Sequence, residues 1–285
     1  MIKKSLSKRI KKKFLSYTYI GRKLKPDTKL TSKIYLNVMK FINYKEYKLR
    51  KLLFKENRNF PVKIDANKSY LIKNYKYFNK PDLIIRALNN LKLDYNKINW
   101  EKEKLKSKKP FLITLEKGID KNIKTIVEEI FPVITNYIGL APAITSIQFW
   151  YSPNKENVAG RSQNWHLDGE DFKQLKVFLP MDNICSKSGP LFFIDSTNSN
   201  ILLKKLVKLK IVKKRNTKIE DEIVKKNLNK SYHKMMTMNF GDIGFIDTSN
   251  CYHFGSRKDL KPRKLLMIQF TSSFCIDLPS IFRKK

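Results

Sequence analysis

The sequence predicts an α+β protein whose C-terminal half is mainly β structure. Apolar residues repeat with helical spacing up to Ile138, and beyond it the pattern changes to short β-branched and aromatic runs separated by turn residues. The chain has 285 residues, of which 41% are hydrophobic, so it can bury a substantial core. These observations exclude disorder as the dominant state.

Residues 1–110 are predicted to form a basic, mostly helical N-terminal extension. Lysine is dense throughout this segment. Ile84, Leu88 and Leu91 recur at helical spacing behind Pro81, whose fixed φ suits the start of a helix. We expect the extension to be followed by one larger domain over residues 111–280.

The larger domain is predicted to begin with a helix and to continue with strands. Between Ile119 and Ile138 apolar residues form a helical stripe, and Gly139 supplies a C-terminal cap. Five runs then have the composition of strands, at residues 144–151, 176–179, 191–194, 244–246 and 265–270. A Lys-rich insertion at residues 197–235 interrupts them, with a hint of an amphipathic helix at 202–209. We expect this insertion to be either a solvated addition or a functional lid.

Net charge is the most unusual property of the composition. Lysine and arginine total 60 against 25 acidic residues, which gives a formal net charge of +35. Such a charge is typical of proteins that bind nucleic acid or an anionic membrane surface. A lysine excess spread along the whole chain also follows from the codon bias of an AT-rich genome. A non-catalytic, polyanion-binding protein, in which the β domain is only a scaffold, therefore stays open as an alternative function.

The expected compartment follows from membrane, secretion and cysteine patterns. No run approaches the roughly 18 apolar residues that a membrane-spanning helix needs, and the N-terminal segment lacks the apolar stretch of a signal peptide. Cys185, Cys251 and Cys275 lie far apart and are odd in number, which favours neither a disulfide framework nor a thiolate zinc site. We expect a reducing, cytoplasmic location.

Four residues in a fixed order form the candidate reactive site. His166 and Asp168 lie two positions apart in an extended segment, so their side chains share a face and can bind one ion. His253 follows a later strand and supplies a second imidazole. Two imidazoles and one carboxylate leave three coordination positions of a metal open, as in non-haem Fe(II) oxygenases. Arg263 begins the next strand, where its guanidinium can pair with the distal carboxylate of a dicarboxylic cosubstrate.

The stretches around these residues extend the pattern. They read WHLDGEDFKQLKVFLPMD at 165–182, SGPLFFI at 188–194, GDIGFIDT at 241–248 and HFG at 253–255. In this order, over about residues 120–275, they resemble the phytanoyl-CoA dioxygenase family of Fe(II)/2-oxoglutarate oxygenases.

The resemblance implies a double-stranded β-helix, a jelly-roll or cupin-like core. It also implies that His166, Asp168 and His253 bind iron and that Arg263 binds 2-oxoglutarate. The implied reaction consumes O2 and 2-oxoglutarate, hydroxylates a small-molecule or a carrier- or glycan-linked substrate, and yields succinate and CO2. Because relatives that halogenate have a small residue in place of the carboxylate, Asp168 favours hydroxylation.

Two further residues are assigned to cosubstrate binding. Gln148, on the first core strand, could hydrogen-bond 2-oxoglutarate if it faces inward, and Gly255 would let the backbone beside His253 approach the cosubstrate closely. Four further residues are weaker candidates. Trp165 could form a wall of the pocket, and Lys173 and Lys176 could contact an anionic substrate. Asp247 could orient the metal ligands.

Overall fold

Two antiparallel β-sheets form the framework of the protein. The computed structural model describes residues 37, 40–41, 44–57, 59–107, 109, 111–155, 161–169, 171, 173–213 and 217–272. The helices are α1 (Tyr44–Asn57), α2 (Pro81–Asn96), α3 (Trp100–Lys106), α4 (Lys121–Ile138), α5 (Ser196–Lys208) and α6 (Asp221–Asn227). The strands are β1 (Tyr70–Asn74), β2 (Ile113–Glu116), β3 (Ala143–Ser152), β4 (Gln174–Pro180), β5 (Leu191–Phe193), β6 (Lys234–Met236), β7 (Asp242–Asp247), β8 (His253–Phe254) and β9 (Arg263–Thr271).

The strand order is that of a double-stranded β-helix. The larger sheet has the order β1-β7-β4-β9-β3-β2 and the smaller sheet the order β6-β5-β8. His166 extends the smaller sheet through an antiparallel bridge to His253. From β3 onward the chain passes repeatedly from one sheet to the other, as in jelly-roll folds. The predicted fold class is confirmed.

The helices cover one face of the larger sheet. Apolar residues of α1, α2 and α4 share a buried core with residues of β3, β4, β7 and β9. The predicted core helix is present as α4, with the Asp120 side chain accepting the Ile123 N–H at 2.8 Å and Gly139 at a φ of 78°. Glycine reaches this left-handed conformation without strain, which is why the helix ends there.

The opposite face of the larger sheet packs against the smaller one. A second core joins residues of both sheets, namely Phe178, Leu191, Phe193, Met236, Ile246, Leu265 and Met267. Inward-facing side chains of β3, β4 and β9 that do not take part in this core are free to line a cavity.

The N-terminal segment contributes a strand as well as helices. β1 pairs with β7 at the edge of the larger sheet, so the sheet begins inside the segment that the sequence favours as helical. α2 starts at Pro81, as expected. Residues 1–36 lie outside the described residues, and the domain boundary at residue 110 stays a prediction.

The insertion at residues 197–235 is packed rather than merely solvated. Leu202, Leu206 and Val224 of α5 and α6 are buried together with Trp165 and Tyr252. These last two residues neighbour the predicted metal ligands in sequence. The insertion therefore supports the segments that carry the candidate site. None of the described helices is long and apolar enough to cross a bilayer.

Candidate metal centre

The three predicted ligands converge where residues 165–168 meet β8. The backbones of His166 and His253 exchange two N–H···O bonds of 3.0 Å, which places the two residues opposite each other. Asp168 follows two residues on, and its N–H donates to the Thr248 carbonyl at 2.9 Å. Ligand atoms of the three side chains all lie within 4.8 Å of one another. The spacing rule for extended chain thus places His166 and Asp168 together, and strand pairing adds His253.

Backbone carbonyls orient both imidazoles. His166 Nδ1 lies 2.8 Å from the Asn164 carbonyl oxygen, and His253 Nδ1 lies 3.0 Å from that of Cys251. A carbonyl oxygen only accepts, so Nδ1 carries the proton in each ring and Nε2 keeps its lone pair. Fixing the tautomer in this way is the usual preparation of a metal-binding histidine.

The carboxylate of Asp168 lies within reach of both imidazoles. Asp168 Oδ1 lies 3.6 Å from His166 Nε2, and Asp168 Oδ2 lies 3.9 Å from His253 Nε2. Ligands that bind one ion at about 2.1 Å lie roughly 3 to 4 Å apart. The donor set, two imidazoles and one carboxylate, is that of non-haem Fe(II) oxygenases.

The protonation states also suit a metal. Burial lowers the pKa of His253 to about 3 and lowers the pKa of His166 as well. Burial by itself would raise the pKa of Asp168, but the Lys176 ammonium and the two imidazoles hold it well below its usual range. Neutral imidazoles and an ionised carboxylate are the forms that bind metal ions.

A cavity of about 200 Å³ opens beside the three ligand candidates. Trp150, Phe178 and Leu191 form apolar walls, and Lys176 and Arg263 contribute cationic groups. The cavity therefore combines a metal-binding edge, a desolvating wall and positive charge, which suits a small anionic ligand.

Arg263 is a buried cation that no carboxylate of the described chain neutralises. Its side chain is 4% exposed, and its Nε makes no hydrogen bond to the described chain. One terminal N–H reaches the Ser152 hydroxyl at 3.4 Å. Burial lowers the pKa of Arg263 to about 10, so it stays charged at neutral pH. A buried guanidinium without a counterion is costly, and because Arg263 lines the cavity its guanidinium is suited to pair with an anion there.

The two other residues assigned to the cosubstrate differ in position. Gln148 shares a face of β3 with Trp150, but its amide donates to Glu116 and accepts the Trp150 indole N–H at 2.8 Å. Gln148 is not part of the cavity lining, because strand β2 provides a competing partner that the sequence did not reveal. Gly255 does line the cavity. A Cβ there would meet the Ser162 carbonyl oxygen at 3.5 Å, an ordinary contact.

The weaker candidates also separate. Trp165 is 2% exposed and packs edge-on against Phe254 with a centroid distance of 4.7 Å, so it belongs to the core. The Lys173 amine donates to the Tyr137 carbonyl at 2.5 Å. Asp247 accepts the Tyr137 hydroxyl at 2.7 Å and has no direct contact with the three ligands. Of these four candidates, only Lys176 lines the cavity.

Sequence reasoning missed Gln174. Its amide donates to Asp168 Oδ2 at 3.2 Å and to Gln269 Oε1 at 3.0 Å. The available signal was strand alternation, which puts Gln174, Lys176 and Phe178 on one face of β4.

No protein-family model matches the chain, and no curated protein matches it in sequence. Several solved structures are similar to the chain at low identity. EctD from S. alaskensis in its apoform is 14% identical, with 72% of this chain and 73% of that chain covered and a TM-score of 0.47. HygX from Streptomyces hygroscopicus, solved with nickel and 2-oxoglutarate bound, is 11% identical, with coverages of 73% and 84% and a TM-score of 0.46. The non-heme alpha ketoglutarate dependent carbocyclase SnoK is 10% identical, with coverages of 76% and 83% and a TM-score of 0.43.

Proposed function

We propose that this protein is an Fe(II)- and 2-oxoglutarate-dependent dioxygenase that hydroxylates its substrate. The observation that carries the proposal is the meeting of two opposite chemistries in one cavity. A neutral-imidazole and carboxylate set suited to a divalent metal faces the same space as a buried, unneutralised guanidinium. A dicarboxylate that chelates the metal at one end and pairs with Arg263 at the other satisfies both.

Under this proposal each residue has a defined task. His166 Nε2, His253 Nε2 and one oxygen of Asp168 would bind iron on one face and leave the other face open to exogenous ligands. Arg263 would bind the distal carboxylate of 2-oxoglutarate through a charge-assisted pair and fix the direction of the keto acid. Bound together, iron and 2-oxoglutarate supply the activation of dioxygen for C–H oxidation, with succinate and CO2 as co-products.

The rest of the cavity would control access and orientation. Trp150, Phe178 and Leu191 present apolar surface beside the ligand set, so a bound cosubstrate and substrate would exclude water there. In a desolvated site the charge of Arg263 acts more strongly than in water. The protein therefore contributes orientation and exclusion of water, while the bound groups supply the oxidising chemistry.

The substrate class is proposed from the charge of the cavity. Lys109, Lys176 and Arg263 line it together with a single carboxylate, Asp168. Lys176 pairs with Asp168, and Arg263 would pair with 2-oxoglutarate. Lys109 is the remaining cationic lining residue among those described, and it supports an anionic small molecule, free or linked to a carrier or glycan, as substrate. A reducing cytoplasmic location is supported by the separated cysteines, of which Cys185 and Cys251 are free thiols in the described part of the chain.

An anaerobic titration of the full chain with Fe(II), followed by 2-oxoglutarate, tests the proposal. Chelation of Fe(II) by the keto acid gives a visible charge-transfer absorption, which we expect in the wild-type protein and not in His253→Ala. His233→Ala is the matched control, because His233 does not line the cavity, and it should keep the band. Circular dichroism establishes that each variant is folded.

A folded, iron-loaded wild-type protein without the band would contradict the oxygenase proposal. Steeply salt-dependent binding to nucleic acid or anionic vesicles, unchanged by His166→Ala, would then favour the polyanion-binding alternative.

A further inference from the structure

We infer that Lys176 and Gln174 are positioning residues that hold one carboxylate oxygen of Asp168 and leave the other for the metal. The inference rests on the proposed function of the site. Lys176 Nζ lies 2.7 Å from Asp168 Oδ2, and Gln174 Nε2 lies 3.2 Å from the same atom. Within the described part of the chain, no hydrogen-bond donor contacts Oδ1.

The unequal treatment of the two oxygens has a direct consequence for coordination. A carboxylate oxygen that accepts an ammonium and an amide N–H has little remaining capacity for a metal. Oδ1, which faces His166 Nε2 at 3.6 Å, keeps its lone pairs. Asp168 would therefore bind through one oxygen, and the metal would keep three positions for the cosubstrate and dioxygen.

Both positioning side chains are themselves held in place. Gln174 is 1% exposed and uses its second amide N–H on Gln269 Oε1 at 3.0 Å, and Gln269 Nε2 donates to Thr145 Oγ1 at 2.9 Å. Lys176 Nζ lies 5.9 Å from the centre of the Trp150 ring, and the stem of Lys176 rises from the central strand β4. Hydrogen-bonded support of this kind is what fixes the orientation of metal-binding carboxylates.

The charge of Lys176 makes this arrangement unusual for a metal site. A cation in direct contact with the carboxylate of a ligand residue opposes the charge of a bound dication, and a site built for tight metal binding alone would avoid it. The position therefore favours control of the carboxylate geometry. It also adds positive charge next to the place where the cosubstrate dianion would bind.

Visible absorption of the Co(II)-loaded full chain tests the inference, because its bands respond to the identity and arrangement of the metal ligands. In Lys176→Met and in Gln174→Leu, Asp168 Oδ2 loses one of its two donors and can replace a solvent ligand on the metal. We expect the positions and intensities of the bands to change relative to wild type at unchanged metal stoichiometry. Lys176→Arg keeps both the charge and the hydrogen bond and should retain the wild-type spectrum. Lys173→Met is the matched control, because Lys173 donates to the Tyr137 carbonyl and not to Asp168.

The outcomes separate this inference from the proposed function. A wild-type protein that binds no Co(II) would refute the metal site itself. A wild-type protein that binds Co(II), with spectra identical in Lys176→Met and Gln174→Leu, would overturn the positioning role alone. In an Asp168→Asn background, Lys176→Met should cause no further spectral change, and an equal change in both backgrounds would also overturn it.

Discussion

Replacing Arg263 with methionine is predicted to stabilise the protein and to weaken 2-oxoglutarate binding at the same time. Burial lowers the pKa of Arg263 from 12.5 to about 10, and at about 1.4 kcal/mol for each tenfold change the buried charge costs about 3 kcal/mol. Methionine removes this cost but loses the 3.4 Å contact to Ser152 and some packing. We expect the free energy of unfolding to rise by about 1 to 2 kcal/mol.

The loss of binding should be larger than the gain of stability. A buried, charge-assisted pair with a carboxylate contributes about 2 to 4 kcal/mol to binding. At about 1.4 kcal/mol per tenfold, losing this pair raises the dissociation constant of 2-oxoglutarate about 30- to 1000-fold. Calorimetric titration of the Mn(II)-loaded protein with 2-oxoglutarate measures this change, and urea unfolding of the metal-free protein measures stability. Arg263→Lys keeps the charge without the fork and should be intermediate.

Arg86→Met is the matched control, because Arg86 is exposed on α2, and it should change neither quantity. A variant Arg263→Met that loses stability and binds 2-oxoglutarate like wild type would refute the reasoning. Arg263 would then be a structural residue whose charge is compensated in another way.

Three further predictions concern the fold and the ligands. The pKa of His253 is about 3 in the folded state and about 6.5 in the unfolded state, so between these pH values only the unfolded chain binds the extra proton. The free energy of unfolding of the metal-free protein should therefore fall by about 2 kcal/mol from pH 7 to pH 5. The fall should be smaller in a His253→Asn variant. Gly189→Ala should destabilise the protein by several kcal/mol, because the φ of Gly189 is 58° and the new Cβ would overlap Ser256. Gly139 has a φ of 78° but open space around it, so Gly139→Ala should cost only about 1 kcal/mol. Urea unfolding measures both changes. Asp168→Asn should weaken Mn(II) binding at least about 100-fold and cost about 2 kcal/mol of stability, because the lysine that it pairs with keeps a part-buried charge; unchanged Mn(II) affinity would contradict its role as a ligand.

Apolar periodicity along the sequence predicted those helices and strands that bury one face, and Gly139 predicted where a helix ends. The helical stripe before Gly139 and the short apolar runs of β3, β4 and β9 each specify their own periodicity, so helix and strands were identifiable without tertiary information. β1 was not identified as a strand, because its short apolar run lies among lysines and is stabilised by pairing with β7. Pairing between strands that lie more than 160 residues apart in the chain leaves no pattern in the local sequence.

The candidate site divides in the same way. His166 and Asp168 were predictable because two residues of one extended segment must share a face, and Arg263 because it starts a strand ten residues after His253. For Gln148, the sequence left the inward and the outward face of β3 equally open. The hydrogen bond between Gln148 and Glu116 depends on the neighbouring strand β2. Side-chain partners across strands follow from register, which the sequence of one strand does not contain.

The most direct test of the central claim is anomalous diffraction, at the iron absorption edge, from crystals of the full chain grown anaerobically with Fe(II) and 2-oxoglutarate. We expect one strong peak about 2.0 to 2.3 Å from His166 Nε2, His253 Nε2 and Asp168 Oδ1, with the distal carboxylate of 2-oxoglutarate paired to Arg263. A peak bound to other residues, or 2-oxoglutarate bound away from Arg263, would contradict it.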